Sequence, residues 1–196
     1  MNRTNSSKDI QKRLVPKIPL LNLVIGVPDS GKTALAKQLL SRLACMYLDN
    51  NFIADAFFKD TRTDSDYKML RPRLYDVLYR ITEENLAVGN SVLLDVPHIT
   101  HVQRPEWRDY INSIVERHSA RLIVLRCWCK ESVLKQRISS RGEKRDVEKL
   151  EHWNAWLKGE PIRVFIPFEH LDIATDTNED ILAMALQYIA SKASID

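Results

Sequence analysis

The chain reads as an α/β protein built on a mostly parallel sheet with helices on both faces. Short continuous apolar runs recur along it, as expected of strands buried on both sides, and segments of helical apolar spacing lie between them. The first run also breaks into a glycine-bearing loop and then a helix, in "LLNLVIGVPDSGKTALAKQLL" at residues 20–40. Strand and helix in alternation place helices over both faces of one sheet.

The elements follow in order. Residues 1–18 are polar and basic and read as a flexible tail, and residues 19–196 as a single domain with no internal repeat or dividing linker. "LLNLVI" is the first strand, and Leu35, Leu39, Leu40 and Leu43 then share a helical face. "CMYLD" is the second strand. From Leu70 the apolar residues Leu74, Val77, Leu78 and Ile81 keep helical spacing up to a stop at Gly89, with Pro72 expected in the first turn. "SVLLD" is the third strand, and Pro105 opens a helix whose Trp107, Tyr110, Ile111, Ile114 and Val115 share a face. "RLIVLRCW" is the fourth strand, followed by a helix at 130–141 ending at Gly142 and another at 145–158. "LDIA" at 171–174 is the fifth strand, and 179–192 is the closing helix.

Composition excludes several classes of function. A net charge of +3 is too small to argue for nucleic acid by itself, and the basic N-terminus lacks the apolar stretch of a signal peptide. No apolar run approaches the ~20 residues of a membrane span. The three cysteines, Cys45, Cys127 and Cys129, are odd in number and sit in apolar runs, which suits a reducing, cytoplasmic compartment. With no His/Cys cluster beside it, the CxC of Cys127 and Cys129 reads as strand filling rather than a metal site.

The loop after the first strand carries the chemistry. "GVPDSGKT" fits G-x-x-x-x-G-K-[ST] at Gly26, Gly31, Lys32 and Thr33, between a strand and a helix as that motif demands. Glycines let the backbone turn tightly so that N–H groups converge on phosphate oxygens, and the helix N-terminus adds positive charge there. Lys32 is expected to reach the β- and γ-phosphates, and the Thr33 hydroxyl to hold Mg²⁺. Asp29 and Ser30 lie within the loop, and the Asp29 carboxylate is expected to turn away from the phosphates. Asp95, closing "SVLLD", is the expected second metal-facing group.

Further along, "CKESVLKQRISSRGEKRD" sets Arg137 and Arg141 four apart on one helix face, with Arg145 just beyond Gly142. Such arginines can clamp phosphates as a lid around residues 137–150 closes. The guanine motif Asn-Lys-x-Asp is missing, and Asp95-Val96-Pro97-His98 stands where a GTPase carries Asp-x-x-Gly. The aromatics Phe57, Phe58, Tyr67 and Tyr75 read first as core, as do Trp153 and Trp156, and the lone His98 and His101 as surface residues.

On "GVPDSGKT", "YLDNN", "SVLLDVPH", "RISSR" and "RDVEKLEHW", the chain resembles the small P-loop kinases over residues 20–190. These include gluconate and shikimate kinases, chloramphenicol phosphotransferase, zeta toxins and the kinase half of polynucleotide kinase; the chain is most similar to AAA-type kinase-like ATPases. The resemblance implies the three-layer P-loop NTPase fold with five parallel strands in the order 2-3-1-4-5, and ATP with Mg²⁺ as cosubstrates. It also implies an acidic pair Asp-x-Asp after the second strand, the second member orienting or deprotonating the acceptor hydroxyl. Here Asp49 is present and Asn51 replaces the second carboxylate, and Asn cannot act as a base. Asp49 itself, Asp55 one turn further on, or binding without efficient transfer are the three resolutions. The expected activity is ATP-dependent transfer of the γ-phosphate to a hydroxyl of a small molecule. A polynucleotide 5′-hydroxyl kinase, using "TRTDSDYKMLRPR" and the N-terminal tail as its basic track, and a nucleotide-binding regulatory protein are the alternatives.

Overall fold

The computed structural model describes residues 13–58 and 65–193. Its centre is a five-stranded, wholly parallel sheet in the order β2-β3-β1-β4-β5, formed by β1 (Leu20–Ile25), β2 (Met46–Asp49), β3 (Val92–Asp95), β4 (Arg121–Trp128) and β5 (Leu171–Ala174). This is the three-layer fold and strand order that the resemblance to small P-loop kinases implies. The helices are α1 (Lys32–Leu40), α2 (Asn50–Phe57), α3 (Ser65–Ala87), α4 (Pro105–Arg117), α5 (Glu131–Arg141), α6 (Val147–Glu151), α7 (Trp153–Gly159) and α8 (Ile181–Lys192).

β1 is buried along its whole length because each face meets a different helical layer. Leu21, Leu23 and Ile25 pack with Tyr75, Leu78, Tyr79 and Leu86 of α3 and with Ile111 and Ile114 of α4. Leu20 and Val24 point the other way, onto Leu35 and Leu39 of α1 and Ala185 and Ile189 of α8. Period-two alternation thus serves two cores at once, and each fully buried leucine contributes about 1.5–3 kcal/mol. Asn22, buried in the same strand, gives its amide N–H to Val92 O at 3.1 Å. Cys127 packs in the α1/α8 core, and Cys129 joins Val27, Leu134, Ile138 and Trp153 in a third cluster beneath α5.

Register positions the chemistry. Val24 lies opposite Asp95 and Asp49 opposite Asp95, so the carboxyl ends of β1, β2 and β3 finish side by side. Ligands of open α/β sheets bind outside these ends.

Four expectations change. α3 starts at Ser65, not near Leu70, so Pro72 lies inside the helix; its ring faces solvent, where water can satisfy the carbonyl that loses its N–H partner. The expected helix at 145–158 is broken into a 3₁₀ turn at Lys144–Asp146, then α6 and α7, because His152 leaves helical dihedrals at φ −113°, ψ 38°. Residues 1–12 lie outside the described residues, but Leu14, assigned to the tail by sequence, is packed: its N–H donates to Arg42 O at 2.7 Å and its carbonyl accepts from Ala44 N at 2.9 Å. Finally, His98 is fully buried and His101 half-buried, not at the surface. Among the described residues, no helix is long and apolar enough to cross a membrane.

Candidate active site

The loop from Gly26 to Thr33 departs from β1 under tight steric control. Gly26 has φ +147°, and a Cβ there would lie 2.3 Å from Cys127 O, so no other residue fits. Gly31 caps α1 at φ +91° with no side-chain cap, and its Cβ would meet Thr175 at 2.8 Å. Lacking a side-chain cap, the first-turn N–H groups of α1 are left for a ligand, with the helix dipole behind them. Lys32 is buried, and its Nζ donates to Val27 O at 2.8 Å across the loop.

Thr33 and Asp95 are brought together. The Thr33 hydroxyl donates to Asp95 Oδ2 at 2.5 Å, joining α1 to the end of β3. The Tyr47 hydroxyl lies 3.1 Å from the same oxygen and 3.3 Å from Asp49 Oδ2, bridging the two carboxylates. Asp49 is buried and caps α2, its Oδ1 accepting from Asn51 N at 2.8 Å. Burial pushes its carboxyl above the usual range against the pull of that N–H, and the Asp95 charge adds to the rise.

The arginines of α5 reach the loop from the opposite side. Arg137 donates to Thr175 Oγ1 at 2.9 Å, Thr175 O at 2.8 Å and Asp29 O at 3.4 Å. Arg141 pairs with Asp29 Oδ1 at 3.0 Å and with Asp146 Oδ2 at 2.5 Å. Asp29 holds φ +61°, turns its carboxylate to α5 and leaves Oδ2 buried without a hydrogen bond among the described residues. Burial pushes its carboxyl pKa above the ordinary value, opposed by Arg141. Arg145 pairs with Asp55 at 2.6 Å, so Asp55 of α2 faces the 3₁₀ turn at Lys144–Asp146.

Lys32, Thr33, Asn51, Asp95, Arg137 and Arg141 are among the residues that wall one cavity of about 1010 Å³. Asp49 and Asp55 stand outside its lining, Asp49 directly behind Asn50 in sequence. Thr175, which belongs to no motif, ties Arg137, Ser30 O and Trp128 O together at the end of β5. Its signal is its place just past a parallel strand's carboxyl end. Tyr47 and Asn50 also join the site without a predicted role; Asn50 is 2% exposed, lines the cavity and has an Oδ1 with no partner. Tyr67 and Trp156, read as core, also line the cavity, whereas Phe57 is exposed.

The residues suit the groups that the motif implies. A cradle that excludes a Cβ at Gly26 and Gly31, an uncapped helix start and a buried lysine fit a polyphosphate. Two hard oxygens 2.5 Å apart, Thr33 Oγ1 and Asp95 Oδ2, fit Mg²⁺.

The family model described as "AAA domain" matches residues 21–159. Comparison with curated protein sequences finds no match. Among solved structures, the chain is similar to a candidate kinase from Chloroflexus aurantiacus, at TM-score 0.69 and 21% identity, over 89% of this chain and 97% of that one. A sugar kinase from Janibacter sp. matches at TM-score 0.61 and 16% identity, over 88% and 94%. Kti12 of Chaetomium thermophilum, solved in complex with ADP-AlF3, matches at TM-score 0.59 and 18% identity, over 89% and 98%. At these identities the likeness establishes a kinase-like P-loop fold.

Proposed function

The chain belongs to the AAA domain family, and from that premise we propose that it is an ATP-dependent phosphotransferase acting on a hydroxyl of a small molecule. One observation carries this reading. The two lid arginines, Arg137 and Arg141, converge on the phosphate loop from across a single cavity that Thr33 and Asp95 also line.

Bound with Mg²⁺, ATP supplies the γ-phosphoryl group, whose bond to the β-bridging oxygen breaks as the bond to the acceptor oxygen forms. The chain's part is positioning and charge compensation. The loop amides and Lys32 hold phosphate oxygens. Thr33 and Asp95 present adjacent oxygens to the metal. Arg137 and Arg141 offset charge on the transferring group and exclude water from it. Asp49, with its carboxyl pushed up by burial, receives the acceptor hydroxyl's proton, and Asn51 hydrogen-bonds the acceptor in place of a second carboxylate. Asp55 steadies the lid through Arg145. Two buried, unbridged cysteines suit a reducing cytoplasm.

The test is Mg²⁺-dependent transfer from γ-labelled ATP to pools of hydroxyl-bearing metabolites, nucleosides, aminoglycosides and oligonucleotides. Label in a small-molecule pool, abolished by Lys32→Ala, is the expected result. Label in oligonucleotides alone would replace the acceptor class, and ATP binding without label in any pool would support a regulatory nucleotide-binding role.

A further inference from the structure

Beyond the phosphate loop, the same cavity is lined by Tyr67, Lys68 and Arg71 of α3, by Trp156 of α7 and by Glu160 just past its end. Arg71 is half-buried here, and among the described residues its hydrogen bonds run from Nε and Nη2 to the Tyr75 hydroxyl alone, at 3.3 and 3.2 Å. The guanidinium also lies over the Tyr75 ring, 5.6 Å from its centroid. Tyr75 is in turn wedged against His98 and His101, at 4.9 and 5.5 Å between centroids, so the arginine rests on a buried aromatic shelf.

Arg71 differs from the other arginines of the cavity. Arg141 and Arg145 are each held by a carboxylate, and Arg137 is held by Thr175 and a backbone carbonyl. Arg71 has no ion pair among the described residues, and a half-buried guanidinium bonded only to a neutral phenol lacks the charged acceptor such a group favours. Glu160 lines the same cavity beyond ion-pair reach, and its Oε2 is buried without a hydrogen bond. Asn50 Oδ1 is a second buried acceptor without a donor. The region therefore offers one fixed cation and two orphan acceptors, a pattern that complements an anionic group joined to hydroxyl donors.

We propose that the acceptor is a small hydroxylated anion, whose carboxylate or phosphate is held by Arg71, with Tyr75 as the positioning residue that aims the guanidinium and Lys68 adding charge one turn earlier. Asn50 Oδ1 and Glu160 Oε2 accept from its hydroxyls. This assignment rests on the phosphotransferase reading for its word "acceptor", but the anion site itself is a binding property.

The experiment therefore has a binding arm and a transfer arm, using matched sets of polyols, the corresponding sugar acids and the corresponding sugar phosphates. Saturation-transfer NMR on the protein loaded with a non-hydrolysable ATP analogue and Mg²⁺ reads binding; γ-labelled ATP reads transfer. Acids or phosphates should bind where the neutral polyols do not, and comparing these two anionic arms identifies which anion is recognised. Arg71→Gln should raise Kd or KM for that compound by about 30-fold, Arg71→Lys by less, with KM for ATP and the melting temperature nearly unchanged. Tyr75→Phe, which keeps the charge but removes its fixing hydroxyl, should raise KM for the anion without lowering kcat. Equal binding of neutral and anionic members, no binding of any, or an unmoved Kd in Arg71→Gln would overturn the proposal. Anion binding that depends on Arg71, with no label transferred, would uphold the anion site and defeat the phosphotransferase reading instead.

Discussion

Asp29 Oδ1 lies 3.0 Å from Nη1 of Arg141, so the phosphate loop is tied to α5 through one of its own carboxylates. A nucleotide phosphate entering the loop competes with Asp29 for that guanidinium. It also meets a negative charge that burial has already made costly. Removing the carboxylate relieves both effects. Asp29→Asn should therefore tighten ATP binding by about 3- to 10-fold, the size of one partly exposed ion pair. Isothermal titration with Mg·ATP checks this, and weaker binding in the variant would show that Asp29 helps to shape the loop rather than restrain the lid.

Thr33 and Asp95 are 62 residues apart in sequence and 2.5 Å apart in space. If the pair presents oxygens to Mg²⁺, Asp95→Asn should raise the Mg²⁺ concentration needed for half-maximal transfer by about 10- to 100-fold while leaving the fold intact. A magnesium titration of the initial rate at saturating ATP reads the shift. An unchanged midpoint would leave Asp95 as a structural partner of Tyr47 and Thr33.

Asp49 has two possible duties, capping α2 and accepting the substrate proton, and two substitutions separate them. Asn is as good a helix cap as Asp but is no base. Asp49→Asn should therefore keep the melting temperature and lower kcat by about 100-fold or more, the usual worth of a general base. Asp49→Ala should lose both, with about 1 kcal/mol of stability going with the cap. Near-normal kcat in Asp49→Asn would assign this carboxylate to the cap alone.

Much of the architecture was legible because burial on both faces leaves a local trace. The runs at Leu20–Ile25, Arg121–Trp128 and Leu171–Ala174 become strands at the expected bounds, and the loop motif lies between β1 and α1. The site was legible only where its residues share a motif. Thr175 meets Arg137 across 38 residues, Arg145 meets Asp55 across 90 and Arg141 meets Asp29 across 112; no spacing rule encodes such partners. His98 and His101 carry no local sign of burial for the same reason. A histidine beside a strand end is polar by type, and only the packing of Tyr75, Tyr79 and Trp107 around it reveals that it is interior.

Those two histidines set a pH dependence. His98 is fully buried, hydrogen-bonded to the Tyr79 hydroxyl, and its Nδ1 has no partner. Burial holds it well below its ordinary 6.5, helped by His101 and Arg71, and burial with Arg104 and Arg71 pulls His101 down to about 4. Below pH 6.5 the unfolded chain therefore binds protons at both positions that the folded chain refuses. Since the unfolded state then carries more bound protons, stability falls as pH falls from 6.5 toward 4, by up to about 1.4 kcal/mol per pH unit for each histidine. Urea unfolding at several pH values across that window should show the decline. His98→Gln should flatten the slope whatever its effect on stability at pH 7, because Gln does not titrate. A slope as steep in the variant as in the parent would mean that His98 is protonated in the folded protein, and that the ring cluster behind Arg71 carries a charge.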